Sequence, residues 1–214
     1  MQSDARRWAA VLGAAAALGA LGHLANLATP DELAGDPGWP SFARQLAGHL
    51  ANSGTAWAGI AVAAGRVLGA CRPGHVVGIA ACLVALASYD LLGAAIGLVD
   101  PADRFGNLSW YAAAGAVGAP LAAIGALGRR RTRLGLAARL VVPAGAMLEP
   151  IVRGRLVADL EADWPTAASA VAAGALMLAG GAIWSAAELV RARRRRDRAR
   201  EKGEAEGMTG IEPA

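Results

Sequence analysis

Apolar residues fill this chain in six long blocks without a polar face, at 8–28, 54–70, 75–99, 109–128, 134–149 and 165–188. A helix that is apolar all round belongs in a bilayer or a large core, and each block is near the roughly 20 residues that a bilayer crossing needs. The pattern predicts an all-α, polytopic membrane helix bundle of about six transmembrane helices. The block at 134–149 is short and contains Arg139 and Pro143, so five crossings is the alternative count. Between the first two blocks, Phe42, Leu46, His49 and Leu50 recur at helical spacing behind Pro40 and Ser41. That segment reads as a short interfacial helix, or as the beginning of a long second helix.

Charge supports the same division. One set of alternate loops receives Arg6, Arg7, Arg66, Arg72, Arg129, Arg130, Arg131, Arg133 and the eight basic residues of 191–202, which makes 16 of the 21. The other set receives only Arg44, Arg104, Arg153 and Arg155. Basic loops stay in the cytoplasm, so both termini are expected there, with residues 1–190 forming one membrane domain and 191–214 a basic tail whose end is disordered. The Arg6-Arg7 start also fits a cleaved export signal, but the apolar run is long for one, and Thr29-Pro30-Asp31 reads better as a helix end.

Composition narrows the class. The chain of 214 residues is 55% hydrophobic and 18% charged, with mean hydropathy +0.38, which suits an inner or plasma membrane protein whose first partner is the lipid bilayer. The pI near 9.8 comes from the juxtamembrane tail facing anionic lipid. That tail has no interleaved aromatics, so nucleic acid is not an expected partner. Cys71 and Cys82 lack the spacing of a metal knuckle or a disulfide framework. No phosphate-binding glycine loop, nucleophile elbow or zinc-protease helix is present. No cofactor is implied, and any ATP-driven activity would need a partner membrane subunit.

Polar groups inside a membrane are candidates for function or for internal pairing. His23 and Asn26 lie late in the first block, Asn52 and Trp57 at the start of the second, and Tyr89 and Asp90 in the outer half of the third. Asn107, Trp110 and Tyr111 open the fourth, and Glu149 closes the fifth. All fall toward the outer face, whereas Arg66 and Arg139 can snorkel to the inner headgroups. Asn52, Trp57, Tyr89, Asp90, Trp110 and Glu149 are therefore the candidate lining of an outward-facing cavity for a small solute. Two other readings use the same residues: an intramembrane enzyme with Asp90 or Glu149 as general acid on a lipid-soluble isoprenoid, and a structural or partner protein in which these groups only hold helices together. Gly-His-Leu-Ala-Asn occurs twice, at 22–26 and 48–52. His23, His49 and a carboxylate would suit zinc or iron, but a shared packing role explains the repeat better, and no metal is expected. Pro120 and Pro143 mark kinks, and pairs such as Gly13 with Ala17, Gly115 with Ala119, and Ala170 with Gly174 permit close helix packing.

The run Asn52-Ser53-Gly54-Thr55-Ala56-Trp57, with Tyr89, Trp110, Gly118, Pro120 and Glu149, resembles an uncharacterised family of small six-helix bacterial membrane proteins, a domain of unknown function. The resemblance covers roughly residues 10–185 and implies a six-helix fold without an activity. Asp90 stands where the family pattern has a second aromatic. In size and layout the chain is also similar to the substrate-capturing subunits of energy-coupling-factor vitamin transporters.

Overall fold

The computed structural model describes residues 2–69, 72–97, 108–157, 159 and 161–209. Eight helices, and no strand, occur among them: α1 Gln2–Leu24, α2 Pro30–Leu33, α3 Trp39–Ala51, α4 Gly54–Leu68, α5 Arg72–Ala95, α6 Leu108–Leu127, α7 Arg133–Val152 and α8 Trp164–Thr209. Helices α1, α5, α6, α7 and α8 each contain a stretch long and apolar enough to cross a membrane, and α4 is a shorter apolar helix. The chain is a multi-pass, membrane-embedded helical protein. The block containing Arg139 and Pro143 is one of the five long candidates, and the shortest belongs to α4. Cys71 and Asn107 lie outside the described residues.

Helix α4 occupies the middle of the bundle, in contact with α1, α5, α6 and α7, while α8 packs along α7 and α3. The amphipathic segment is a separate helix, α3, because the chain breaks at Asn52-Ser53 before α4 begins. At that break Ser53 Oγ accepts the Ala56 N–H at 3.0 Å, an ordinary helix N-cap. Trp39, Phe42 and Trp164 gather at the other end of α3, with ring centroids 5.2–6.2 Å apart, as aromatics do at a membrane–water interface. Helix α8 continues beyond its apolar part through the basic tail to Thr209, where an unstructured end was expected from composition.

Lipid offers little hydrophobic drive for helix association, so the seams rely on close backbone approach. The α4–α6 seam is the tightest: a Cβ at Gly65 would fall on the Ala122 carbonyl, and one at Gly125 on the Val62 carbonyl. Gly19 meets the Ala85 carbonyl between α1 and α5 in the same way. Of the small-residue pairs singled out from spacing, only that of Gly174 lies in a seam, beside Arg155 and Pro150; Gly13 and Gly115 face open space. Spacing identifies a stripe of small residues but not the side of the helix that meets a neighbour.

Gly65→Val therefore forces α4 away from α6 and lowers unfolding stability in detergent by about 3 kcal/mol. Gly13→Ala is neutral or stabilising by up to about 1 kcal/mol. Thermal or denaturant unfolding of the two variants, side by side, checks both.

Candidate functional site

The six predicted site residues lie toward one end of the bundle, but they divide among separate bonding groups. In the first group, Asn52 Nδ2 donates to the Gly22 carbonyl and to Asn26 Oδ1, both at 3.1 Å, and Asn26 Nδ2 donates to the Tyr89 hydroxyl at 2.7 Å. The Tyr89 ring stands edge-on to His23 at 4.8 Å. The repeated pentapeptide is thereby explained: the two copies cross, with Gly22 beneath Asn52 and Gly48 beneath Ala25. His23 is buried, and neither ring nitrogen has a hydrogen-bond partner among the described residues. Among those residues, no three His, Cys, Asp or Glu side chains lie close enough to hold a metal ion.

In a second group the Tyr111 hydroxyl donates to Asp90 Oδ2 at 2.8 Å, joining α6 to α5. Trp57 Nε1 donates to the Ala51 carbonyl at 3.0 Å, which fixes the turn between α3 and α4. Trp110 is 67% exposed and joins none of these contacts.

Glu149 forms the third group. Its Oε1 accepts the Gly54 N–H at 2.9 Å, and its Oε2 accepts the Thr55 N–H at 2.9 Å and the Thr55 hydroxyl at 2.8 Å. Arg153 Nε lies 3.2 Å from Oε1. The first N–H groups of a helix have no partner inside it, and here all are matched: Ser53 by the Leu50 carbonyl, Gly54 and Thr55 by Glu149, and Ala56 by Ser53 Oγ. A carboxylate also suits the positive end of the helix dipole.

A comparable knot fastens α2 to α3. Glu32 and Thr29 form a capping box, and Glu32 Oε1 also takes bonds from Arg44 and, at 2.8 Å, from Gln45 Nε2. Burial raises the Glu32 pKa, but the bonds from Arg44, the Thr29 N–H and Gln45, with the Arg44 charge, outweigh it and bring the value down to about 2. His49 is held below its ordinary value by burial, then by the nearby Arg155 and Arg153 charges.

The opposite end of the bundle contains a grouping that the sequence reading missed. Glu188, 4% exposed, lies 3.1 Å from Arg139 Nε, 3.1 Å from an Arg191 nitrogen and 3.7 Å from an Arg66 nitrogen. Arg139 also donates to the Gly128 carbonyl at 2.9 Å. Around this knot opens a cavity of about 570 Å³ lined, among the described residues, by six arginines, Arg7, Arg66, Arg129, Arg139, Arg191 and Arg195, and by the single carboxylate of Glu188. The signal was available: Glu188 is the only acid between Trp164 and Arg191, and an acid near the end of an apolar block calls for a cation on a neighbouring helix. The large cavities described here and below include none of Tyr89, Asp90, Trp110 and Glu149 in their walls.

No family model, curated protein or solved structure matches the chain. Assignment of the site rests on geometry alone.

Two outcomes test the bonding of Glu149 and of the α2–α3 knot. Glu149→Gln leaves one N–H of α4 unmatched and lowers stability by about 2 kcal/mol, read by unfolding in detergent. Glu32 has a folded value near 2 against an ordinary 4.5, so its stabilisation is fully present above pH 4.5 and is lost as the pH falls toward 2. The melting temperature of the wild type accordingly falls across that window more steeply than that of Glu32→Gln.

Proposed function

We propose that the protein is a six-span membrane protein with both termini in the cytoplasm, and that it binds an anionic, phosphate-bearing ligand at its cytoplasmic mouth. The observation that carries this reading is the cavity of about 570 Å³ with six arginines and one carboxylate among the described residues of its wall. Its volume falls within the roughly 300–1,000 Å³ of ordinary ligand sites, and guanidinium groups match phosphate in charge and in planar, two-pronged geometry. Six spans follow if α4 crosses with the five long helices. The inward orientation follows from the 16 basic residues on the arginine side, which stay in the cytoplasm.

This reading moves the ligand from the outer residues to the inner end. Asn52, Trp57, Tyr89 and Glu149 each bond to another part of the chain, and the Tyr111 hydroxyl bonds to Asp90; on this reading they are the clasp that holds the outer ends of the helices in register. A transport step and a general-acid role for Asp90 or Glu149 have no further support in the geometry.

Pyrophosphate added to delipidated protein in detergent is expected to raise the melting temperature, with the rise shrinking as salt is added. In the double variant Arg129→Gln/Arg195→Gln, which leaves the Glu188 knot untouched, the rise falls at least about tenfold in apparent affinity, a loss of roughly 1.4 kcal/mol. Absence of any rise with millimolar pyrophosphate, or an undiminished rise in the double variant, overturns the assignment.

A further inference from the structure

The arginine-lined mouth continues into two apolar grooves, and we infer that together they take an anionic diacyl phospholipid drawn from the surrounding leaflet. The phosphate sits among the arginines, and one acyl chain lies on either side of α4. The inference rests on the reading of the mouth as an anion site and specifies its ligand.

The first groove, of about 410 Å³, shares Arg66, Gly128 and Arg139 with the mouth. It follows α4 past Val62 and Gly59 as far as Thr55 and Ser53, with Val142 and Met177 opposite. From Arg66 back to Ser53 a helix rises about 20 Å, more than the ~15 Å of one leaflet of hydrocarbon. The second groove, of about 380 Å³, shares Arg7 and Val67 with the mouth and passes between α1 and α4 along Ala10, Val11 and Ile60. Ala63 borders both grooves, so they flank α4 and meet at its basic end.

Charge and polarity select the occupant. A soluble phosphate ester such as a nucleotide carries polar groups that would find no partners along the apolar middle of either groove, past Gly59, Val62 and Ala63 or past Ala10, Val11 and Ile60, and burying them unmatched is unfavourable. An acyl chain needs none. Arg139, whose side chain is 9% exposed, borders both the mouth and the first groove, so a charged group stands where a headgroup would join its tail. Basic recesses between membrane helices on the cytoplasmic side are the general form of an anionic headgroup site. Two grooves converging on one mouth match two tails on one headgroup.

The test is native mass spectrometry of the delipidated full-length protein with phosphatidylglycerol or phosphatidylcholine of identical acyl chains, alongside the pyrophosphate melting shift. Phosphatidylglycerol is expected to be retained at one per chain with at least about tenfold preference. Gly59→Leu places a side chain in the first groove, where a Cβ would have Val142 Cγ1 at 3.9 Å as its nearest neighbour, so the helices need not part. It should weaken phosphatidylglycerol retention about tenfold, the effect of denying roughly two methylenes their burial, and leave the pyrophosphate shift intact. Ala10→Leu, on an exposed part of α1, makes the same test of the second groove if Gly59→Leu does not fold. Equal retention of both lipids overturns the inference, and so does undiminished retention in the groove variants with the pyrophosphate shift preserved. Loss of the pyrophosphate response from the wild type overturns the anion site itself.

Discussion

The arrangement depends on a carboxylate placed over the first N–H groups of a short central helix. Helix α4 has only 15 residues, about 22 Å of rise, and its N-terminus opens beside α7 with Glu149 accepting the Gly54 and Thr55 N–H groups. Unmatched backbone donors are costly where water is scarce, so this contact fixes where α4 begins. Its far end is held by charge as well: Arg66, in its last turn, faces Glu188 of α8. A helix tied at one end to α7 and at the other to α8 sets the spacing of the helices around it.

The same poverty of large side chains produces both the seams and the grooves. Where Gly65 and Gly125 oppose each other, the α4 and α6 backbones nearly touch. On other faces of α4, a third of a turn or more around from Gly65, Gly59 and Ala63 border open grooves. One helix surface of small residues thus closes against α6 and stays open toward α7 on one side and α1 on the other. On the proposed reading these recesses are where acyl chains lie.

Much of the fold was legible because the bilayer imposes it. The apolar blocks located the starts of α4 to α8 to within three residues, while α1 begins six residues before its block and α8 runs 21 residues past its own, and the periodicity of Phe42, Leu46 and His49 located α3. The bonding was less legible. Glu149 and Asp90 were recognised as groups that need a reason to be in a membrane, but a single sequence does not say which helix each one faces. Glu149 faces the start of α4 and Asp90 faces Tyr111. The sequence shows Glu188 as the lone acid of its block but leaves open whether water or a neighbouring helix meets it. Three arginines from α4, α7 and α8 make it a buried partner, a convergence that only tertiary structure reveals.

The two ends of the bundle differ in how their charges are met. At the end where α4 begins the carboxylates answer local donors: Glu149 meets Gly54, Thr55 and Arg153, Glu32 meets Thr29, Arg44 and Gln45, and Asp90 meets Tyr111. Little electrostatic demand remains there for an added solute. At the opposite end six arginines line a cavity in which Glu188, the one carboxylate among the described residues of its wall, is shared by three of them. Like charges gathered beside a low-dielectric interior repel more strongly than in water, and an anion entering that cavity relieves the repulsion while gaining several guanidinium contacts at once. On the proposed reading, the field of the bundle draws negative charge to this mouth, where a bilayer leaflet would present phosphates.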